Sequence, residues 1–99
     1  MTDRFYEQQV MQQLVACSPE LFRKSRVSLI LCRTGNLLLM NREDLVFDPM
    51  LCLEFVPIAQ LLQKQCGNTR ICICTADGVI LNLSSEEMIE LAETWNIWH

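Results

Sequence analysis

The apolar positions of the first segment repeat with helical spacing. Tyr6, Val10 and Leu14 stand at i, i+4 and i+8, and Met11 and Val15 widen the stripe. Glu7, Gln8, Gln9, Gln12 and Gln13 fill the other side. This pattern predicts a helix capped by Asp3 and running to about Cys17. Ser18-Pro19-Glu20 then restarts a helix of one or two turns, through Lys24. Serine caps, and proline fits a first turn because its missing N–H has no partner there.

The spacing then changes from helical to alternating. Val27, Leu29 and Leu31 alternate with Ser28, Ile30 and Cys32, predicting a strand from Arg26 to Cys32. Both of its faces are largely apolar, as in a central strand covered on both sides. Arg33-Thr34-Gly35-Asn36 reads as a turn, and Leu37 to Asn41 as the returning strand. Between Leu45 and Gly67 two readings stand. In one, a helix starts at Asp48-Pro49 and runs to Cys66, against the cost of a mid-helix Pro57. In the other, which is preferred, Met50 to Phe55 is a third strand and Pro57 opens a helix. Either way Ile58 to Cys66 is helical, and Gly67-Asn68 ends it. Arg70 to Thr75 and Val79 to Leu83 flank Asp77-Gly78, a hairpin signal whose type I′ turn needs two positive φ values. Ser84 with Glu87 three residues on is a capping box. It opens a last helix with Met88, Leu91, Ala92 and Trp95 as its apolar stripe.

The expected fold is α+β. A mostly antiparallel sheet of four or five strands is flanked by helices, in one domain spanning 1–99. The order is helix, short helix, two strands, the Met50–Phe55 strand if it forms, helix, two strands, helix. With that strand, the order resembles the class I type III secretion chaperones. That resemblance implies a small, acidic, cytoplasmic dimer that holds an effector in extended form. With helix throughout 48–66, the order is nearer to roadblock-type scaffold domains. Both are resemblances of element order, and no binding residue is carried over from either.

Composition narrows the function classes. The 99 residues carry twelve acids against eight bases, a net charge of −4, and 51% hydrophobic residues. A pI near 4.8 argues against a dedicated nucleic-acid binder. No apolar run approaches the roughly 20 residues of a membrane span. The mixed charges of the first nine residues do not read as a secretory signal. The expectation is a cytoplasmic chain whose six cysteines are reduced and pack as small hydrophobes.

Candidate chemistry is sparse. Cys72 and Cys74 share one face of a strand, and two thiolates there could bind a soft metal. Their spacing is not that of a zinc knuckle, so they read as buried hydrophobes. The one histidine, His99, is a poor partner for a nucleophilic cysteine. Three scattered glycines make no phosphate loop. No catalytic, cofactor-binding or metal-binding residue is expected.

Charge and aromatic placement are more informative. Arg23, Lys24, Arg26 and Arg33 form a basic spot. After Arg70 the chain has no Lys or Arg, and Glu86, Glu90 and Glu93 fall on one helix face. A mean hydropathy of +0.18 is high for a small domain, whose surface is large for its volume. Ile97 and Trp98 add apolar weight near the chain end. Glu86, Glu90, Glu93, Ile97 and Trp98 are therefore the expected partner-binding residues. The expected function is a non-enzymatic protein-binding domain (adaptor, scaffold or chaperone-like), homodimeric through a sheet face or a helix. The alternatives are an acidic inhibitor from a phage or mobile element that binds a host protein, and a cysteine-based metal or redox protein.

Overall fold

The computed structural model describes the backbone of residues 4–45 and 49–98 and the side chains of 5–45 and 50–95. Helix α1 spans Arg4–Cys17 and α2 spans Pro19–Phe22. Strands β1 (Arg26–Cys32) and β2 (Gly35–Asn41) follow, then helices α3 (Pro49–Glu54) and α4 (Val56–Gln65). Strands β3 (Thr69–Thr75) and β4 (Gly78–Ser84) precede α5 (Ser85–Trp98).

The four strands form one mixed sheet in the order β1-β2-β3-β4. β1 pairs with β2 and β3 with β4 as antiparallel hairpins, and β2 lies parallel to β3. A parallel neighbour requires a crossover of a dozen residues or more. The segment carrying α3 and α4 supplies it. The fold is α+β and mostly antiparallel, as the alternation predicts.

One face of the sheet is closed by helices. Leu29, Leu38, Met40, Ile71, Ile73 and Leu81 point to that side and are buried against Val10 and Leu14 of α1, Ile58, Ala59 and Leu62 of α4, and Met88 of α5. Tyr6, Val10 and Leu14 carry the inward stripe of α1 as expected, whereas Val15 faces solvent.

The preferred third strand does not form; Met50 to Phe55 falls in α3 and the residue that follows it. The physical reason is helical spacing. Leu51, Phe55, Ile58, Ala59 and Leu62 recur every three or four residues and are all buried. Alternation within 50–55 is a shorter signal than this stripe, which runs across 51–62. Pro57 is accommodated because α4 restarts at Val56, which places it in a first turn. Phe55 makes the joint: its N–H donates to Leu51 O and Cys52 O at 3.2 Å each, and its carbonyl accepts from Ala59 N at 2.9 Å. The chaperone-like order, which needed that strand, is lost with it.

Local chemistry sets the element ends. Gly67 adopts φ +86° just past α4, a region costly for any residue with a Cβ. The carbonyls that α4 leaves unpaired are taken up by side chains. Tyr6 OH donates to Gln65 O, and Asn36 Nδ2 donates to Cys66 O at 3.0 Å. The β3–β4 hairpin forms as expected, but its turn is not type I′. Gly78 has φ +120°, and among the described residues no non-glycine has positive φ. A bulge on β4 at Ile80 accompanies it, since Ile73 faces Leu81 and Cys74 faces Val79.

At α5 the capping box closes in both directions. Glu87 N–H donates to Ser84 Oγ, and Ser84 N–H donates to Glu87 Oε1, each at 3.1 Å. The inward stripe differs from expectation. Met88 is buried and Ile89 and Ala92 are half-buried, while Leu91 and Trp95 remain 50% and 41% exposed. Packing of α5 beside α4 as well as on the sheet rotates the helix toward Met88 and Ile89 and turns Leu91 outward.

Candidate protein-binding face

The second face of the sheet is open. Strand geometry sends alternate side chains to opposite faces. Ser28, Ile30, Leu37, Leu39, Asn41, Arg70, Cys72, Cys74, Val79 and Asn82 therefore stand opposite the core positions. Among the described residues no helix covers them. Register places Ile30 beside Leu37, Leu39 beside Cys72, and Cys74 beside Val79. These six side chains make a diagonal apolar stripe from edge strand β1 to edge strand β4. Ile30 is 42%, Leu39 36% and Val79 59% exposed.

The rim of this stripe is polar. Arg70 lies against Asn82, its guanidinium donating to Asn82 Oδ1 at 2.9 Å. Arg26, Ser28 and Asn41 are exposed on the β1–β2 side. The sequence placed β1 in the middle of the sheet, covered on both sides. It is instead an edge strand, with one face against α1 and the other bare. Its edge is partly blunted by Glu7, which reaches from α1 to accept the Leu31 N–H at 3.2 Å. Ile30, Leu37, Leu39 and Val79 were not among the expected site residues. The signal for the first three was the unbroken apolar runs Leu29 to Cys32 and Leu37 to Met40, which fill both faces of two strands.

Cys72 and Cys74 are not buried. Both are half-exposed on the open face, with their sulfurs 3.9 Å apart, one thiol donating to the other. Partial burial, reinforced by the neighbouring Cys74 thiol, raises the Cys72 pKa above its ordinary value. Burial does the same to Cys52 and Cys66. Cys17 and Cys32 are exposed. Cys32 is held below the ordinary thiol range by a hydrogen bond from the Thr34 hydroxyl, joined by the Thr34 backbone. Its Sγ also lies 2.9 Å from the Gly35 carbonyl. All six cysteines are free, and among the described residues no three His, Cys, Asp or Glu side chains converge as a metal site.

The acidic residues expected on α5 lie on its solvent side: Glu86, Glu90 and Glu93 are all exposed. Glu87 and Glu90 border a shallow groove of about 330 Å³ with Leu83, Leu91 and Thr94. The side chains of Ile97 and Trp98 lie outside the described residues. Acidic side chains stand near part of the basic spot. Arg23 approaches Glu20 at 3.8 Å, and Arg42 donates to Asp44 at 2.6 and 3.1 Å. Lys24 and Arg26 share a cleft of about 400 Å³ with Asn41, Glu43 and Asp44. The Arg42 guanidinium holds the Asp44 carboxyl below its usual range.

No helix among the described residues is long and apolar enough to cross a membrane. No protein-family model matches the chain, and neither a curated protein nor a solved structure shows significant similarity to it.

Proposed function

We propose that this chain is a small cytoplasmic, non-enzymatic protein-binding domain that pairs with a second copy of itself through the open sheet face. The observation that carries this reading is the stripe of Ile30, Leu37, Leu39, Cys72, Cys74 and Val79. A one-sided sheet ordinarily shows polar residues to water. This one shows a connected apolar band with a polar border, the anatomy of an interface core and rim. The band has no acidic side chain, and its arginines stand at the border, so the surface it fits is apolar and neutral. An identical band meets that need, and a two-fold contact is self-complementary by construction. Six free thiols suit a reducing compartment.

Light scattering tests the reading, in buffer with zinc so that the Cys72 and Cys74 thiols are free to take a soft metal. The expected particle has twice the 11.5 kDa chain mass. An Ile30→Lys, Leu39→Lys variant is expected to be folded and monomeric. A monomer at high concentration overturns the reading, as does a dimer that survives both lysines.

The groove between β4 and α5 favours a second reading, an inhibitor that binds a host protein. Its floor is Leu83 and Leu91, and Glu87 and Glu90 border it. A basic segment with apolar side chains fits it. Glu90→Lys with Leu91→Asp, both in the groove, would abolish capture of such a target while leaving the particle mass unchanged. Capture that persists in this variant overturns the second reading.

A further inference from the structure

We propose that two copies of this chain share one zinc ion through four thiolates, Cys72 and Cys74 from each copy. The proposal rests on the pairing of open sheet faces above. It adds a chemical reason for the place where the faces meet.

The first observation is a distance. Side chains two apart on a strand start roughly 6.7 Å from each other. The sulfurs of Cys72 and Cys74 are 3.9 Å apart, so the two side chains lean together. With zinc–sulfur bonds of about 2.3 Å, the edge of a ZnS4 tetrahedron is about 3.8 Å. The pair already has the bite of a chelate. The two sulfurs are separate thiols, since a disulfide bond would hold them about 2.05 Å apart.

The second observation is that the chelate is half complete. A structural zinc site takes four ligands. Among the described residues no third His, Cys, Asp or Glu joins the pair. The neighbours in register are Leu39, Asn41, Val79 and Asn82, none of them a usual zinc ligand. The described residues do not supply the missing half, and the same pair on a second copy would. The pair lies on central strand β3, within the band proposed to face a second copy.

Tetrahedral geometry fixes how the copies cross. Opposite edges of a tetrahedron are perpendicular. Each sulfur–sulfur edge runs along its own β3, so the two β3 strands cross near a right angle. Orthogonal packing is one of the two common ways for sheets to stack. The reaction is ligand exchange without redox. Each of four thiols gives up its proton to solvent as its sulfur bonds to Zn²⁺, so four protons leave per ion bound.

The test uses the full chain with zinc chloride, elemental analysis and light scattering. One zinc per two chains is expected. The cobalt(II)-loaded protein is expected to show the intense visible absorption of a tetrahedral tetrathiolate. Cys72→Ser with Cys74→Ser should lower bound zinc more than tenfold with unchanged circular dichroism. Cys17→Ser with Cys32→Ser should keep it. Should the first variant fail to fold, the cobalt spectrum of the unaltered chain decides. A dimer without zinc in excess metal overturns the shared ion and leaves the face pairing standing. A monomer in excess zinc overturns both. One zinc per chain, or zinc retained without Cys72 and Cys74, overturns the four-thiolate site.

Discussion

The backbone N–H of Thr69 donates to the Ser85 hydroxyl oxygen across 2.9 Å. Both residues are fully buried, and the bond joins the first residue of β3 to the first residue of α5. Ser85 Oγ in turn lies 2.6 Å from Gln63 Oε1 on α4 and 3.2 Å from Asn68 Oδ1. Asn68 Oδ1 accepts from Glu86 N at 3.1 Å. One hydroxyl thus ties together the two helices and the strand that underlie the open face. Ser85→Ala strands the Thr69 N–H away from water. The expected loss is about 1–3 kcal/mol in urea unfolding. A change under roughly 0.5 kcal/mol, the level of an ordinary surface substitution, contradicts this role.

Leu38 and Leu39 are neighbours in β2 on opposite faces. Leu38 is fully buried against the helices, and Leu39 lies on the open face. Leu38→Ala is expected to cost about 2–5 kcal/mol in any state of association. Leu39→Ala should leave the unfolding of dilute protein nearly unchanged and weaken pairing instead. Paired denaturation curves at low and high protein concentration separate the two effects.

The capping box carries a pH signature. The Ser84 backbone N–H, helped by its hydroxyl, holds the Glu87 carboxyl below its ordinary value of 4.5. A depressed carboxylate stabilises the fold fully above its unfolded pKa and loses that contribution as pH falls through the folded one. The stability gap between the native chain and Glu87→Gln should therefore be constant near neutrality and close below about pH 4. Ser84→Ala, which removes the cap acceptor, should cost about 0.5–2 kcal/mol at neutral pH. Thermal melts of the three proteins from pH 3 to 7 read both effects.

Thiol reactivity should follow environment. Cys32 is exposed and its pKa is lowered, so it should alkylate first, ahead of exposed Cys17. In the metal-free chain Cys52, Cys66 and Cys72 are partly buried with raised pKa values, so they should lag. Timed iodoacetamide labelling with peptide mass spectrometry gives the order. Cys72 labelling ahead of Cys32 contradicts it.

Glu86, Glu90 and Glu93 repel one another on the exposed side of α5. Their replacement by glutamine should raise the melting temperature slightly at low ionic strength. The gain should vanish at high salt, where exposed charges are screened. Differential scanning calorimetry at two salt concentrations checks this.

Local chemistry alone determined much of this molecule. The period of Val10 and Leu14, the alternation of β1 and β3, the Asp77-Gly78 hairpin and the Ser84–Glu87 box are short-range signals, and each element formed where its signal lay. The acids of α5 were likewise legible as exposed, because charge on a helix face is solvated wherever that face points. Tertiary structure decided the rest. Leu51 and Phe55 suit a strand or a helix until burial beside Ile58 and Leu62 selects the helix. Whether Ile30, Leu39, Cys72 and Cys74 are core or surface depends on strand order and on which side the crossover helices lie. Alternation reports that a strand has two faces, but not which of them another element covers. That choice is made by contacts between segments far apart in the chain, and it put a pair of cysteines read as core on an open face.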